Sequence, residues 1–294
     1  MYENKKVLLA LGNFDGLHLG HQKVLLSDKS EYDVKIALMF SVHPQKVLTG
    51  AAPGELAAKE DLESILSGLG FVPEYLNFNE ILNLTPEQFV DEIVVGKYNA
   101  CALECGFNYR FGKGASGDTK LLSVLCAERE ITLTVCDRVD FEGKPISSSR
   151  IRECLRKGDI QSANKMLGRN FSYDLTVVHG DARGRILGSP TVNQFFTEDF
   201  TVPCYGVYAS VTTVEGKRYP SVTNIGIRPT IDDENHKRSE TNIVGYSGDL
   251  YGQNVKVELI EKLRGEIKFE SLESLSAQIA ADRKKSIEIT KNLI

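Results

Sequence analysis

Hydrophobic residues in the first part of the chain fall in short continuous runs, and segments with helical periodicity separate these runs. The runs KKVLLALGNF, DVKIALMF, NACALECG and ITLTVCD have the length and content of buried strands. Between them, LESILSGLG has apolar residues at helical spacing, and Thr85-Pro86-Glu87-Gln88 has the N-cap, N1 proline and closing glutamine of a helix start. Strands that alternate with helices predict an α/β domain built on a doubly wound parallel sheet.

After Gly168-Arg169 the pattern changes to β-rich stretches divided by Gly, Pro and Asp turns. The stretches are FSYDLTVVHG, YGVYASVTTVEGKRYPSVTNIG, SETNIVGY and NVKVELIEKL. Only the last segment, SLESLSAQIAADRKKSIEI, is helical in pattern, with Leu272, Leu275 and Ile279 on one stripe. Sequential strands with tight turns and one closing helix predict a small antiparallel β-barrel.

The length of 294 residues agrees with two domains, which we place at residues 1–168 and 169–294. Hydrophobic residues make up 41% of the chain and charged residues 26%, so a sizeable core is expected. The net charge of -5 argues against a partner bound by bulk positive charge, and nucleic acid is not expected.

The chain shows no pattern of a secreted or membrane protein. MYENKKVLLALGNF lacks the apolar stretch and cleavage site of a signal peptide, and no apolar run approaches the roughly 20 residues that span a bilayer. A cytoplasmic protein without a membrane partner is therefore expected. The sequence leaves weak self-association open.

The six cysteines are scattered without a CxxC pair. Cys101 and Cys105 could face one another on a helix, but ACALEC has the composition of a strand, and no histidine lies near them. Buried free thiols are therefore favoured over a zinc site.

The strongest candidate site is GNFDGLHLGH, where the chain leaves the first strand and enters a helix. Open α/β sheets bind ligands at this position, and a helix N-terminus offers free N–H groups to a phosphate. Gly16 and Gly20 leave room for a phosphate chain near the backbone. His18 and His21 are three residues apart, so both can project from one face and donate to an α-phosphate. A metal site is the alternative, but no third ligand is apparent nearby.

A second candidate element is Ile146-Ser147-Ser148-Ser149-Arg150-Ile151-Arg152. The serines before a helix supply an N-cap and hydroxyl donors, and Arg152 can reach a phosphate with its planar fork. Alone, this pattern is that of an ordinary helix start.

These motifs, together with FSVHP at 40–44 and GFNYRFGKGASGD at 106–118, resemble the adenylyltransferase module of bifunctional prokaryotic FAD synthetases, in the HxGH nucleotidyltransferase superfamily. The resemblance implies transfer of AMP from ATP to FMN, with release of pyrophosphate and with Mg²⁺ present. It implies catalytic roles for His18, His21 and Arg152. The positions implied to bind ATP or FMN are Gly12, Asn13, Phe14, Gly16, Gly20, His43, Asn108, Arg110, Ser147 and Ser148.

Two positions depart from the pattern of that module. This chain has MFSVHP where similar proteins read TFDPHP, so Ser41 stands where those proteins have an acidic residue. The lysine expected near residue 62 is a leucine.

In the second domain, HGDARGR at 179–185 is a glycine-rich basic turn, followed by LGSPTVN. Thr191 and Asn193 are two apart, so in an extended segment both point the same way, and their oxygens are ligands that suit Mg²⁺. Glu240 could accept a proton from a substrate hydroxyl, although spacing alone does not select it from the other acids.

VVHGDARGRILGSPTVN, PCYGVYAS, NIGIRPT, DLYG and LRGEIKFES occur in the order seen in riboflavin kinases. The resemblance implies a six-stranded barrel, Mg²⁺ held by Thr191 and Asn193, and Glu240 as the catalytic base. Ser189 replaces the usual phenylalanine of GFPT, a change that could weaken kinase activity. The other positions implied to bind ATP or flavin are Gly180, Asp181, Gly184, Arg185, Gly188, Pro190 and Arg228.

The resemblance thus implies a bifunctional transferase that converts riboflavin to FMN and FMN to FAD, with ATP as co-substrate and Mg²⁺ as cofactor. Three alternatives stay open: only one module is active, the chain is a flavin-binding regulator without chemistry, or it is a different HxGH transferase. The retained polar groups disfavour the regulator, and the kinase-like barrel disfavours the other transferase.

Overall fold

The computed structural model describes residues 2–26, 31–179, 191–228 and 236–294. These residues form two compact units. One contains the chain up to Pro53 together with Lys59–Ser147, and the other contains Gly54–Ala58 and Ser148–Ile294. The boundary predicted at residue 168 concerns where one activity ends and the next begins. Compactness does not test that boundary, which stays a prediction.

The apolar runs of the first unit form a five-stranded parallel sheet with the order β3-β2-β1-β4-β5, which confirms the predicted sheet. Each strand is short, and β1 is buried along its whole length because it lies in the middle of the sheet. The strands are β1 (Val7–Leu11), β2 (Val34–Phe40), β3 (Val72–Leu76), β4 (Ala100–Gly106) and β5 (Thr132–Cys136).

Helices connect these strands, as the alternating pattern predicted. The predicted capping box is present, since Thr85 Oγ1 accepts from the Gln88 amide and Gln88 Oε1 accepts from the Thr85 amide. A π-helix, Phe89–Lys97, continues directly from that helix. The α-helices of this unit are α1 (Leu19–Leu25), α2 (Pro44–Thr49), α3 (Lys59–Gly68), α4 (Phe78–Ile81), α5 (Pro86–Gln88) and α6 (Thr119–Ala127). A small hairpin, β6 (Asp140–Phe141) and β7 (Lys144–Pro145), follows β5.

The strand order reverses between β1 and β4, which lie side by side in the sheet. The crevice outside the carboxyl ends of two such strands is where open α/β sheets bind ligands. Leu11 pairs with Cys105 at those ends. The turns that follow β1 and β4 therefore leave the sheet next to one another.

The second unit begins with two helices, α7 (Ser148–Lys157) and α8 (Ile160–Leu167), and continues into an antiparallel sheet with the order β8-β13-β10-β11-β12-β9. The segment at Gly54 belongs here because Glu55 pairs with Phe200. The strands are β8 (Phe171–Thr176), β9 (Thr191–Phe195), β10 (Gly206–Val214), β11 (Lys217–Arg228), β12 (His236–Ile243) and β13 (Asn254–Arg264).

The two outer strands of this sheet meet and close it into a barrel. The amide of Val178, just after β8, donates to the carbonyl of Asn193 in β9 at 2.8 Å. This bridge confirms the six-stranded barrel that the resemblance implied. Hydroxyl groups bond to one another between the strands: Thr223 Oγ1 lies 2.8 Å from Ser210 Oγ and 2.9 Å from Thr241 Oγ1.

The last helix, α9 (Leu272–Thr290), packs on β10 and β11 and confirms the predicted closing helix. The predicted stripe is buried only in part, because Leu275 and Ile279 are half-buried whereas Leu272 is 66% exposed. The fully buried residues of this helix are Asp282, Ser286 and Thr290. Each makes a hydrogen bond, which offsets the cost of burying a polar group. Ser286, for example, donates to the carbonyl of Ser221 at 2.6 Å.

No helix in the described part of the chain has the length and apolar character needed to cross a membrane. Cys105, Cys126 and Cys136 are buried thiols, as predicted, whereas Cys101 is exposed. Cys101 and Cys105 both lie in β4, in agreement with the predicted strand.

Candidate active sites

The turn after β1 holds three residues in the left-handed region of backbone conformation. Phe14 has φ 45° and Leu17 has φ 40°, and both side chains are buried. Gly16 has φ 72°, which glycine adopts without steric cost. Left-handed conformations at bulky residues are strained, and such strain is found at functional sites. The buried rings and aliphatic groups fix the path by which the chain reaches His18.

His18 is the N-cap of α1, and its ring lies on the ring of His21. The ring centroids are 3.6 Å apart with an angle of 16° between the planes. The amide of His21 donates to His18 Nδ1 at 3.3 Å, so the neutral His18 ring carries its proton on Nε2. The predicted pair therefore shares one face of the first helical turn.

His21 is held in its neutral form. Burial, followed by the neighbouring His18, lowers the pKa of His21 well below its usual range. Its Nδ1 is buried and has no hydrogen-bond partner among the described residues. A neutral ring can donate to a phosphate oxygen through one N–H, but it does not supply a positive charge.

Gly20 explains why a glycine separates the two histidines. A Cβ at this position would lie 3.1 Å from two atoms of the His18 ring. The same position is 4.0 Å from the carbonyl oxygen of Ile146, the first residue of ISSSRIR. The structure thus brings the start of the second predicted motif next to the first helical turn.

Asn108 and Arg110 lie in the turn that follows β4, and both are exposed. The turn is closed by the amide of Tyr109, which donates to the carbonyl of Gly106 at 3.0 Å. Because β4 neighbours β1, this turn lies at the same edge of the sheet as Gly12 and Asn13. The structure brings these predicted positions to one edge.

His43 is the N-cap of α2. Its Nδ1 accepts a hydrogen bond from the amide of Gln45 at 3.1 Å, and Pro44 occupies the first helical position. The neutral ring therefore carries its proton on Nε2. Its predicted contact with ATP stays a prediction.

The remaining residues of ISSSRIR divide between the units, since Ser147 ends the first unit and Ser148 begins α7 in the second. Arg152 is 4% exposed, and its Nε donates to the carbonyl of Gly54 at 2.7 Å. Thr201 Oγ1 donates to the same carbonyl at 2.5 Å. Arg152 thus helps to hold the segment at Gly54, and its predicted role toward phosphate stays a prediction.

The two departures from the family pattern have structural counterparts. Ser41, in MFSVHP, is bonded to β3 through its amide and its hydroxyl, and both donate to the carbonyl of Leu76. Leu62, in place of the expected lysine, packs against a buried cluster that contains Leu66 and Phe71. The leucine therefore contributes to the core under α3.

In the barrel, Asn193 and Glu240 are direct cross-strand neighbours. Asn193 on β9 pairs with Glu240 on β12, and Glu240 pairs in turn with Asn224 on β11. Thr191 lies in β9 two residues before Asn193, so both side chains share a face, as predicted. Three strands therefore bring an amide, a carboxylate and a second amide into one row.

The side chain of Asn193 is buried and has an unsatisfied oxygen atom. It is 7% exposed, and its Oδ1 has no hydrogen-bond partner among the described residues. An unsatisfied buried oxygen costs about 1–3 kcal/mol, and a bound cation would remove that cost. The oxygen donors of Thr191 and Asn193 fit a hard divalent ion.

Sequence reasoning missed Asn224 and Arg238. Arg238 Nη2 lies 3.0 Å from Glu240 Oε1, and Asn224 is the β11 neighbour of Glu240. The position of Arg238 two residues before Glu240 on a strand was a usable signal, since such residues share a face. Asn224 had no such signal, because its pairing with β12 is a long-range contact.

The predicted kinase positions fall partly inside and partly outside the described residues. Residues 180–190, which include Ser189 and the glycine-rich turn apart from His179, lie outside the described residues. Arg228 is the last residue of β11. The predicted positions outside the described residues are Gly180, Asp181, Gly184, Arg185, Gly188 and Pro190.

Two family models match the chain, and together they cover most of it. The FAD synthetase model matches residues 1–150, and the riboflavin kinase model matches residues 167–290. The first match contains the histidine pair, and the second contains Asn193 and Glu240.

Curated relatives match over nearly the full length. A bifunctional riboflavin kinase/FMN adenylyltransferase of Bacillus subtilis is 35% identical over 99% of this chain and 95% of its own length. The protein of the same description from Escherichia coli K12 is 32% identical over 94% of this chain and 90% of its own length.

A solved structure has the same fold. It is described as a macrolide-efflux protein from Streptococcus pneumoniae, and it matches with a TM-score of 0.88 and 27% identity. The match covers 96% of this chain and 94% of that one. With both domain families present and the relatives matched from end to end, the chain belongs to the bifunctional riboflavin kinase/FMN adenylyltransferase family, transferases of flavin cofactor biosynthesis.

Proposed function

We propose that the chain carries out two ATP-dependent transfers at two separate sites. The kinase, at residues 169–294, transfers the γ-phosphoryl group of ATP to riboflavin and gives FMN. The adenylyltransferase, at residues 1–168, transfers AMP from a second ATP to FMN and gives FAD and pyrophosphate. The observation that carries this proposal is that each unit has its own set of polar groups. The stacked histidines follow the first strand of the parallel sheet, and the row of Asn193, Glu240 and Asn224 lies on the antiparallel sheet.

In the kinase reaction, Glu240 takes the proton of the primary ribityl hydroxyl as that oxygen attacks the γ-phosphorus. The bond between the γ-phosphorus and the β–γ bridging oxygen breaks, and ADP leaves. Support comes from the cross-strand row, in which Asn193 and Asn224 flank the carboxylate. The row keeps the base within one strand spacing of the predicted metal ligand.

Thr191 and Asn193 would hold the metal ion, and we propose that it is Mg²⁺. The ion would neutralise charge on the phosphate oxygens of ATP. The unpartnered Oδ1 of Asn193 supports this choice, since Mg²⁺ takes oxygen ligands and keeps several waters when it binds nucleotide phosphates.

In the adenylyltransferase reaction, a phosphate oxygen of FMN attacks the α-phosphorus of ATP and pyrophosphate leaves. His18 and His21 donate N–H groups to the phosphate oxygens as negative charge moves onto them. The stacked rings in the first turn of α1 support this role, because α1 follows β1, and the crevice beside the carboxyl ends of β1 and β4 is where such sheets bind ligands.

The experiment that tests the proposal is incubation of the full chain with riboflavin and MgATP, followed by chromatographic separation of the flavins. The wild-type chain should form FMN and then FAD. His21→Ala should accumulate FMN without FAD, and Glu240→Gln should form neither product from riboflavin yet still convert added FMN to FAD.

Each result bears on one site. Loss of both activities in His21→Ala would contradict separate sites, and unchanged FMN formation in Glu240→Gln would remove Glu240 from its role. Tight binding of riboflavin by the wild-type chain without any product would favour the non-catalytic flavin-binding protein instead.

A further inference from the structure

Arg238 occupies a position beside the proposed kinase site that the resemblance did not assign. It lies on β12 two residues before Glu240, so the two side chains share one face of the strand. Its cross-strand partner on β9 is Phe195, two residues after Asn193. The guanidinium group therefore belongs to the same surface as the proposed base and the proposed metal ligand.

The ion pair between Arg238 and Glu240 uses one oxygen of the carboxylate. Arg238 Nη2 lies 3.0 Å from Glu240 Oε1. Both side chains are largely shielded from solvent, with 18% of Arg238 and 29% of Glu240 exposed. Shielding strengthens the attraction and restricts the rotation of the carboxylate.

The other terminal nitrogen of the guanidinium lacks a partner. Arg238 Nη1 is buried and makes no hydrogen bond within the described residues. A buried guanidinium N–H without an acceptor is costly, and an anionic oxygen is the acceptor that relieves this cost best. Asn193 Oδ1, on the same face of the sheet, also has no hydrogen-bond partner among the described residues, and a cation is one group that would satisfy it. A phosphate group bound to a metal ion would satisfy both atoms, since its oxygen accepts from Arg238 Nη1 and the metal ion binds Asn193 Oδ1.

We propose that Arg238 is a further catalytic residue of the kinase reaction. Its Nη2 holds Glu240 Oε1, so that Oε2 faces the ribityl hydroxyl and takes its proton. Its Nη1 donates to an oxygen of the γ-phosphoryl group while the bond to the bridging oxygen of ADP breaks. The planar fork of arginine can serve two acceptors at once, which a lysine ammonium cannot do in the same geometry. This inference rests on the proposed kinase function.

The test is steady-state kinase kinetics on the full chain, with FMN formation from riboflavin as the readout. Arg238→Ala should lower kcat about 100-fold, the usual effect of removing one transition-state donor. The KM for ATP should rise, whereas the KM for riboflavin should stay near the wild-type value. Arg238→Lys should recover about 10-fold of the loss, because the charge remains and the second donor does not.

Two controls separate chemistry from folding. Arg218→Ala breaks a comparable ion pair, Arg218 Nη2–Glu258 Oε2 at 2.7 Å, on other strands of the same barrel, and it should leave kinase kcat unchanged. Conversion of added FMN to FAD, measured on each variant, should equal that of the wild type. Added guanidinium chloride at low millimolar concentration should restore part of the Arg238→Ala activity, whereas equal sodium chloride should not.

A wild-type kcat in Arg238→Ala overturns the inference. A loss that is equal in Arg238→Lys and that guanidinium does not relieve overturns it too, because that result indicates a packing role. If the wild-type chain itself forms no FMN from riboflavin, the proposed kinase function fails first, and the two failures are thereby distinguished.

Discussion

At the residue scale, the histidine pair shows what helical spacing predicts and what it leaves out. The spacing of His18 and His21 predicted a shared face, and the stacked rings confirm it. The spacing did not indicate that His21 is half-buried or that its amide bonds to His18 Nδ1. Those features come from Phe14 and the turn beneath the rings, which pack by contacts that sequence patterns do not encode.

The depressed pKa of His21 predicts a pH dependence of stability. Folding keeps this ring neutral, whereas the unfolded chain binds a proton with a pKa near 6.5, so the unfolded state is favoured as pH falls below about 6.5. Between pH 7.5 and 5.5, the urea midpoint of the wild type should therefore fall more than that of His21→Gln. Parallel curves for the two proteins would contradict the burial of a neutral imidazole.

Gly20→Ala should separate activity from stability. The new Cβ would approach the His18 ring to 3.1 Å and shift it, so FAD formation from FMN should fall about 10-fold or more, as small displacements at a reacting centre do. Helix propensity alone would favour alanine by about 0.5–1 kcal/mol, so the melting temperature should not fall much.

Gly68→Ala is the matched control, since a Cβ at this position in α3 would meet no atom within 4 Å. It should raise or maintain stability without any change in FAD formation. Equal activity in both variants would show that the glycine in HxGH does not serve the His18 ring.

At the scale of elements, the fully buried residues of α9 are polar, so a search for apolar residues at helical spacing did not identify them. Asp282 is 5% exposed and accepts from Arg264 Nε at 3.0 Å and Nη2 at 2.8 Å, with Gln278 Nε2 at 2.9 Å. The partner on β13 is distant in sequence, so the local pattern favoured Leu272 instead. A helix can thus dock through an ion pair while a leucine of its first turn stays in solvent.

Asp282→Ala should destabilise the barrel by about 3 kcal/mol, because it leaves Arg264 partly buried without its carboxylate. Chemical denaturation of the full chain, followed through the transition of the barrel, measures the effect. Leu272→Ala on the same helix should change stability by less than about 0.5 kcal/mol. A reversed order of the two variants would restore the apolar stripe as the docking face.

At the scale of the whole molecule, local patterns predicted the two kinds of sheet, and they predicted each proposed site in part. Alternation along β9 was enough to put Thr191 and Asn193 on one face, because that rule concerns neighbours in sequence. The choice of β12 as the strand beside β9 is a pairing between strands that are distant in sequence, which no local pattern contains. For this reason the role of Glu240 was predicted only through the family resemblance, and the position of Asn224 beside it is visible only in the structure.

The bridge between Val178 and Asn193 has a further consequence for how this barrel can change. The main-chain carbonyl of Asn193 joins the two outer strands of the barrel, and its side-chain Oδ1 takes no part in that bond. A substitution of the Asn193 side chain should therefore leave the bond from Val178 in place, so the proposed metal ligand can be removed without opening the barrel.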